Sequence, residues 1–139
     1  MSEYVYDQQE AIYAYFKASG EVELPPGNTF AIGLRIGENC VGACVYHNWR
    51  PLHRTIGVDM GFTSPLWARP DHIARFLAYP FVELGAYKIW GLCHIDNSPA
   101  RRMHEHMGFT VDAELKDQFG PGRDGVLVAM RLPTYMEKY

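Results

Sequence analysis

The sequence predicts an α/β fold, in which one mixed β-sheet is flanked by helices on both faces, and two observations carry this prediction. Three strand-like runs stand close together in the first half of the chain, whereas strand and helix patterns alternate in the second half. Strands joined by short turns pair antiparallel, and strands separated by a helix pair parallel through a right-handed crossover. We therefore expect a sheet that is antiparallel at first and parallel in its middle.

The first half of the chain is expected to hold one helix followed by three strands. Ile12 and Phe16 lie one helical turn apart, which favours a helix over residues 7–18, and residues 3–6 are compatible with a short strand. A Pro-Pro-Gly-Asn break then separates this helical segment from the strands. The three strands are expected at 29–35, 40–47 and 55–62, with breaks at 36–39 and 48–51.

In the second half, helices alternate with strands. Apolar residues at helical spacing predict an amphipathic helix over 70–85, and Pro80 predicts a bend in it because an interior proline removes a hydrogen bond. Asn97 followed by Ser98-Pro99 marks the start of a helix, which Gly108 ends. The remaining strands are expected at 88–95, 109–114 and 126–132.

Composition indicates an ordinary globular protein of one domain spanning residues 1–139. Apolar residues make up 47% of the chain and charged residues 21%, as in ordinary globular proteins. The net charge of −3 is not the positive charge that sequence-independent nucleic-acid binding requires. No run approaches the roughly 20 apolar residues of a membrane span, and no secretory leader is visible, so we expect a cytoplasmic protein. The three cysteines, an odd number in apolar surroundings, are expected to be free thiols, and no metal site is predicted.

Residues 81–109 resemble the second half of GNAT N-acetyltransferases, most closely the subgroup that acetylates the N-termini of ribosomal proteins. The segment follows the pattern Phe-x-x-Leu-Gly, a strand, and then N-x-x-A-x-x-x-(Y/H/L)-x-x-x-G-F. The second part of that pattern is met at five positions, namely Asn97, Ala100, His104, Gly108 and Phe109. The order of the predicted elements is also similar to that of the family over nearly the whole chain.

The resemblance implies transfer of an acetyl group from acetyl-CoA, as cosubstrate, to a primary amine by direct attack. His104 takes the place of the tyrosine that usually protonates the departing sulfur, and a histidine can fill that role when it is protonated. The alternative is an exposed or half-buried helix residue without a catalytic role. Asp59 is the only carboxylate on the third core strand and is therefore the candidate general base. His47, His53 and His94 are rival bases near strand ends.

The resemblance also implies which residues contact the cosubstrate. Asn97 is expected to hold the pantetheine arm or to cap its helix, and Arg101 is expected near a phosphate or in solvent. The complete set of expected cosubstrate contacts comprises Met60, Gly61, Ser64, Trp67, Arg69, Asn97, Ala100 and Arg101.

The chain departs from the family at the loop that binds the CoA diphosphate. Residues 63–70 contain two prolines and no glycine, so the usual set of backbone N–H donors is depleted. One interpretation is that Ser64, Arg69 and the backbone N–H groups after Pro70 hold the diphosphate instead. The other is a protein that keeps the fold without acetyl-CoA, either an interaction or virion accessory protein with Trp67 on its surface or, among tailed phages, a nucleobase-modifying enzyme. A homodimer is compatible with each of these.

Overall fold

A computed structural model describes residues 2–18 and 27–139. Its strands hydrogen-bond in the order β1-β2-β3-β4-β5-β7-β6, in a mixed sheet that is antiparallel apart from one parallel pair. This confirms the predicted fold class. The strands are β1 (Ser2–Val5), β2 (Thr29–Ile36), β3 (Asn39–Arg50), β4 (Thr55–Phe62), β5 (Lys88–His94), β6 (Thr110–Leu115) and β7 (Gly125–Arg131), and the helices are α1 (Gln9–Ala18), α2 (Pro70–Ala78), α3 (Ser98–Met107) and α4 (Leu132–Lys138).

Two compact units make up the chain. The first consists of Met1–Trp49 with Gly57–Tyr79, and the second of Arg50–Ile56 with Pro80–Tyr139. Within the described residues, no helix combines the length and the apolar character needed to cross a membrane. The three cysteines are free thiols, as the sequence predicted, with Cys44 and Cys93 buried and Cys40 half-buried.

In the first unit, helix α1 packs on one face of the antiparallel strands β1, β2 and β3. Ile12 and Phe16, which form the predicted apolar stripe, are buried against Ala31, Ala43 and Val45. Side chains alternate between the two faces of a strand, so Gly42 and Cys44 of β3 point to the opposite face. The core of this unit therefore has one layer on each side of β3.

The opposite face of this unit is dominated by aromatic rings. Trp67, in the 3₁₀ turn Pro65–Ala68, is fully buried and stacks on Phe62 at 5.0 Å and on Phe76 at 5.6 Å between ring centroids. Its ring lies over Gly42, where a Cβ atom would come within 1.6 Å of the indole. The missing side chain of Gly42 thus leaves the space that the indole of Trp67 occupies.

The second unit is an antiparallel sheet, β5-β7-β6, with helices α3 and α4. Helix α3 begins and ends where its sequence predicted, with Asn97 as N-cap and Gly108 at φ 108° as the left-handed C-cap. On the exposed side, Asp112 of β6 forms ion pairs with Lys88 (2.9 Å) and Arg131 (2.8 Å). These ion pairs join all three strands.

Helix α4 fastens the end of the chain to this second unit. Tyr135 stacks on Phe81 at 4.7 Å, and Tyr139 stacks on Tyr135 at 5.9 Å. The hydroxyl of Tyr139 donates to the backbone carbonyl of Met107, the last residue of α3, at 2.7 Å. The last turn of α3 is closed by this hydrogen bond.

Three local predictions need correction. The expected bend at Pro80 is a π-helical turn, Tyr79–Glu83, which follows α2 directly and accommodates the missing N–H of the proline. Strand β3 continues to Arg50, through the break expected at 48–51, with Asn48 at a positive φ of 56°. Helix α4 was not predicted, since its first turn has no side-chain cap and its pattern covers only seven residues.

Candidate active site

Helix α3 and its N-cap carry four of the predicted site residues. The N–H of Ala100 donates to the side-chain oxygen of Asn97 at 3.2 Å, so Asn97 performs the capping role that was one of its two expected roles. Arg101 is half-buried and donates through Nη1 to the carbonyl of Ile95 at 3.1 Å. That hydrogen bond holds the guanidinium beside the end of β5.

His104 is half-buried on the same helix and lies next to a cysteine thiol. Its Nδ1 lies 3.9 Å from Sγ of Cys93, and its ring is 5.7 Å from that of Phe109. Burial lowers the pKa of His104 below its ordinary 6.5, and burial raises the pKa of Cys93 despite the nearby Arg101. Both groups are therefore mainly neutral at pH 7, and His104 becomes a strong proton donor only in more acidic solution.

His104 also borders an open depression between α3 and β6, about 510 Å³ in volume. We call this the α3 depression. Its lining combines the charged side chains of Arg101, Arg102 and Glu105 with the apolar Phe109 and Val111. The structure thus brings His104 and Arg101, two predicted residues, to one surface.

Asp59 lies on β4 beside a second of the candidate bases. Nε2 of His47, on β3, is 3.5 Å from Oδ2 of Asp59. The His47 side chain is buried at 7% exposure, whereas that of Asp59 is 31% exposed. The two candidates are therefore one pair of side chains. The sequence interpretation treated them as rivals and missed this pairing.

The other two candidate bases occupy different surroundings. His53 is exposed in the turn before β4. His94, at the end of β5, stacks on Phe119 with 3.8 Å between ring centroids, and its Nε2 is 3.4 Å from Nη2 of Arg123. Because a guanidinium can only donate, Nε2 of His94 is the acceptor in this contact.

The loop before α2 satisfies most of its backbone donors internally. The N–H of Leu66 donates to Oγ of Ser64 at 3.2 Å, and that of Trp67 donates to the Ser64 carbonyl at 3.1 Å. Pro65 and Pro70 have no N–H to offer. Ser64, which was expected to contact a phosphate, therefore caps a 3₁₀ turn.

At the start of α2, the chain supplies an anion of its own. Arg69 donates through Nε to Oδ1 of Asp71 at 3.2 Å. Desolvation acts to raise the pKa of Asp71, but Arg69, His72 and the backbone N–H groups of Asp71 and His72 outweigh it and lower that pKa. A carboxylate thus occupies the helix end that favours anions, and the loop does not fit a diphosphate in the way that the family's glycine loop does.

The last three predicted cosubstrate contacts lie on β4 and in the 3₁₀ turn. Met60 and Gly61 are half-buried on β4, within two residues of its end. Trp67 was wrongly predicted, both as a cosubstrate contact and as a surface aromatic, because its ring is 0% exposed and packs over Gly42. Within the described residues, no three His, Cys, Asp or Glu side chains are placed to hold a metal ion.

Comparison with solved structures establishes the class of fold. The spermidine/spermine N-acetyltransferase of Vibrio cholerae, solved in two mutant forms, matches with a TM-score of 0.82 and 13% identity over 99% of both chains. Its complex with CoA and spermine matches with a TM-score of 0.79 and 16% identity, over 97% of this chain and 98% of that one. A dodecameric form of the same enzyme gives a TM-score of 0.81 and 13% identity, over 99% of this chain and 97% of the other.

The chain therefore has the GNAT acetyltransferase fold. No protein-family model matches the sequence, and no curated protein matches it. At such low identity the likeness concerns the fold, and function has to be argued from the side chains.

Proposed function

We propose that this protein is an acetyl-CoA-dependent N-acetyltransferase that acts on a primary amine, with residues 1–139 as one acyltransferase domain. The observation that carries the proposal is Asp59, a partly exposed carboxylate on a core strand of a GNAT fold, held beside buried His47. The Vibrio cholerae enzyme of this fold binds CoA and spermine, which supports the same pair of substrate classes here.

The reaction needs few groups from the protein. The neutral amine nitrogen attacks the thioester carbon, the new N–C bond forms, the C–S bond breaks, and the electron pair of that bond leaves with sulfur. Asp59 takes the proton that the attacking nitrogen loses. His104 returns a proton to the thiolate, with Asn97, Ala100 and Arg101 placed along the same helix to contact the pantetheine arm.

A specific observation favours a second candidate, a GNAT-fold protein that binds a partner and catalyses nothing. Most N–H groups of the loop at 63–70 already donate to other groups of the protein, and Asp71 places a negative charge where a diphosphate is expected. An enzyme with this loop has to bind the diphosphate chiefly through Arg69 and charge. An interaction or virion accessory protein has no such need.

The acceptor class is inferred from the resemblance and from the structural neighbours. We propose a peptide N-terminus of the ribosomal-protein type as the first acceptor and a polyamine as the second, with a nucleobase as the acceptor of a phage enzyme. We further propose a cytoplasmic location. We also propose a homodimer, which is supported by the dodecameric form of a neighbour with the same fold.

Calorimetric titration with acetyl-CoA and with CoA tests the proposal. We expect both to bind with dissociation constants below about 1 mM, which corresponds to a binding free energy of about −4 kcal/mol or better. We also expect release of free thiol when a peptide, spermidine or an oligonucleotide is added. Binding without transfer to any of the three acceptors would leave only a ligand-binding protein. No heat of binding at millimolar ligand would overturn the enzyme and favour the partner-binding candidate.

A further inference from the structure

One face of the first unit changes from apolar to polar along β3. Val45 and His47 are two residues apart and point to the same face, where Val45 is buried with Phe16 of α1. Thr29, which is paired with His47 across β2 and β3, shares a 2.5 Å hydrogen bond with the hydroxyl of Tyr13 of α1. His47 therefore lies where the apolar contact with α1 gives way to polar side chains.

His47 holds its place in this face through a close fit. A Cβ atom on Gly57 of β4 would come within 2.3 Å of Cε1 of His47, so the ring lies directly against the glycine backbone. From there Nε2 reaches to 3.5 Å from Oδ2 of Asp59, and the carboxylate stays partly exposed while the imidazole is buried. The imidazole contacts Asp59 from the protein side and leaves the carboxylate accessible.

A purely space-filling role explains this arrangement poorly. Taking an imidazole and part of a carboxylate out of water costs free energy that an apolar ring in the same slot would not require. A glycine in a strand interior costs a further 0.5–1 kcal/mol or so relative to alanine. Holding the Asp59 carboxylate in one orientation is a role that an apolar ring in the same slot could not fill.

We propose that His47 is the positioning residue for Asp59, and that together they form the unit that takes the proton from the acceptor amine. This inference rests on the proposed function. As the N–C bond forms, one proton passes from the attacking nitrogen to the Asp59 carboxylate, while the electron pair of the breaking C–S bond leaves on sulfur. His47 itself does not touch the substrate. It holds the carboxylate in one orientation towards the attacking nitrogen.

The test compares kcat and KM for the amine in His47→Gln, Asp59→Asn and the double variant, at saturating acetyl-CoA. We expect Asp59→Asn to lower kcat about 100-fold and His47→Gln about 10-fold, with KM for the amine within about twofold of the wild type. The double variant should be no slower than Asp59→Asn, because a positioning residue has no effect once the group that it positions is gone.

Gly57→Ala provides a second route to the same answer, in case His47→Gln fails to fold. The added methyl group displaces the His47 ring without removing a charge, so kcat should again fall about 10-fold with little change in KM. Glu38→Gln, which removes an exposed carboxylate in the turn between β2 and β3, is the matched control and should leave kcat unchanged. Circular dichroism at the assay temperature confirms that each variant is folded.

The outcomes separate this inference from the function on which it rests. An active wild type with unchanged kcat in folded His47→Gln or Gly57→Ala overturns the inference alone. A double variant slower than Asp59→Asn by the whole His47→Gln factor shows two independent roles and also overturns it. A wild type that transfers no acetyl group overturns the proposed function, and the inference with it.

Discussion

Replacing Gly42 by alanine tests the packing that removes Trp67 from the candidate binding residues. The added Cβ atom would lie 1.6 Å from Cδ1 and 2.4 Å from Nε1 of Trp67, against ordinary carbon contacts of about 3.5–4.0 Å. The indole cannot swing aside easily, because it is fully buried and stacked on Phe62 and Phe76. The strand β3 and the 3₁₀ turn must therefore separate by about 2 Å.

The loss of stability depends on whether the core is overpacked around the added methyl group or the indole leaves its site. Overpacking a core typically costs about 1–3 kcal/mol, and loss of a buried aromatic ring from its site costs about 3–5 kcal/mol. We expect Gly42→Ala to lower the free energy of unfolding by about 3 kcal/mol. In a chain of this size that corresponds to a Tm roughly 10 °C lower. Thermal unfolding followed by circular dichroism, with tryptophan fluorescence as a second probe, measures the change.

Gly33→Ala, on the neighbouring strand β2, is the matched control. Its Cβ atom would lie 3.3 Å from Cγ1 of Ile12, a contact that a small shift relieves, so we expect a loss under about 1 kcal/mol. If the two variants unfolded at the same temperature, the explanation of Gly42 as a slot for the indole would be refuted. Trp67 would then be available again as a binding residue.

Three further predictions concern charge and protonation. Hydrogen bonds from Arg131 and Lys88 lower the pKa of Asp112 to about 2, below its ordinary value near 3.9. The stabilising effect of Asp112 is therefore fully present above about pH 4 and disappears as pH falls through about 2. After discounting for solvent, we expect Asp112→Asn to lower the free energy of unfolding by about 1 kcal/mol at pH 7 and by much less at about pH 2, measured by thermal unfolding. Burial lowers the pKa of His104 below its ordinary value, so a proton-donating role predicts that turnover rises as the solution becomes more acidic than pH 7. His104→Phe should remove this rise without changing acetyl-CoA affinity, and a flat wild-type profile would contradict the role. Asp71→Asn should tighten CoA binding about two- to fivefold in calorimetry, and unchanged binding would show that no phosphate approaches the start of α2.

Features with local causes were the ones that the sequence predicted best. Helix α3 was expected between Asn97 and Gly108 and lies there, because a side-chain cap, Pro99 and a left-handed glycine act within a few residues of each end. Helix α4 has no such signals. Its stability comes from stacking of Tyr135 on Phe81, a contact across more than fifty positions that no local pattern reveals.

The candidate site shows the same division between local and distant causes. Asp59 could be proposed from the family resemblance, as the one carboxylate on its predicted strand. Its pairing with His47 depends on the register of β4 against β3, which alternation within one strand does not determine. Trp67 was misplaced for a related reason. A loop position suggested exposure, whereas Gly42, an isolated glycine in a strand, was the signal that a large ring approaches there.

The hydrogen bond from Tyr139 to Met107 gives the end of the chain a part in the candidate site. A helix leaves its last carbonyls without intrahelical partners, and here one of them is met by a hydroxyl thirty-two positions away. Trimming this single tyrosine would let the last turn of α3 fray, so its amide protons would exchange with solvent faster. His104 lies one turn before that point, so loss of the Tyr139 hydroxyl would also loosen the surroundings in which His104 gains or loses its proton.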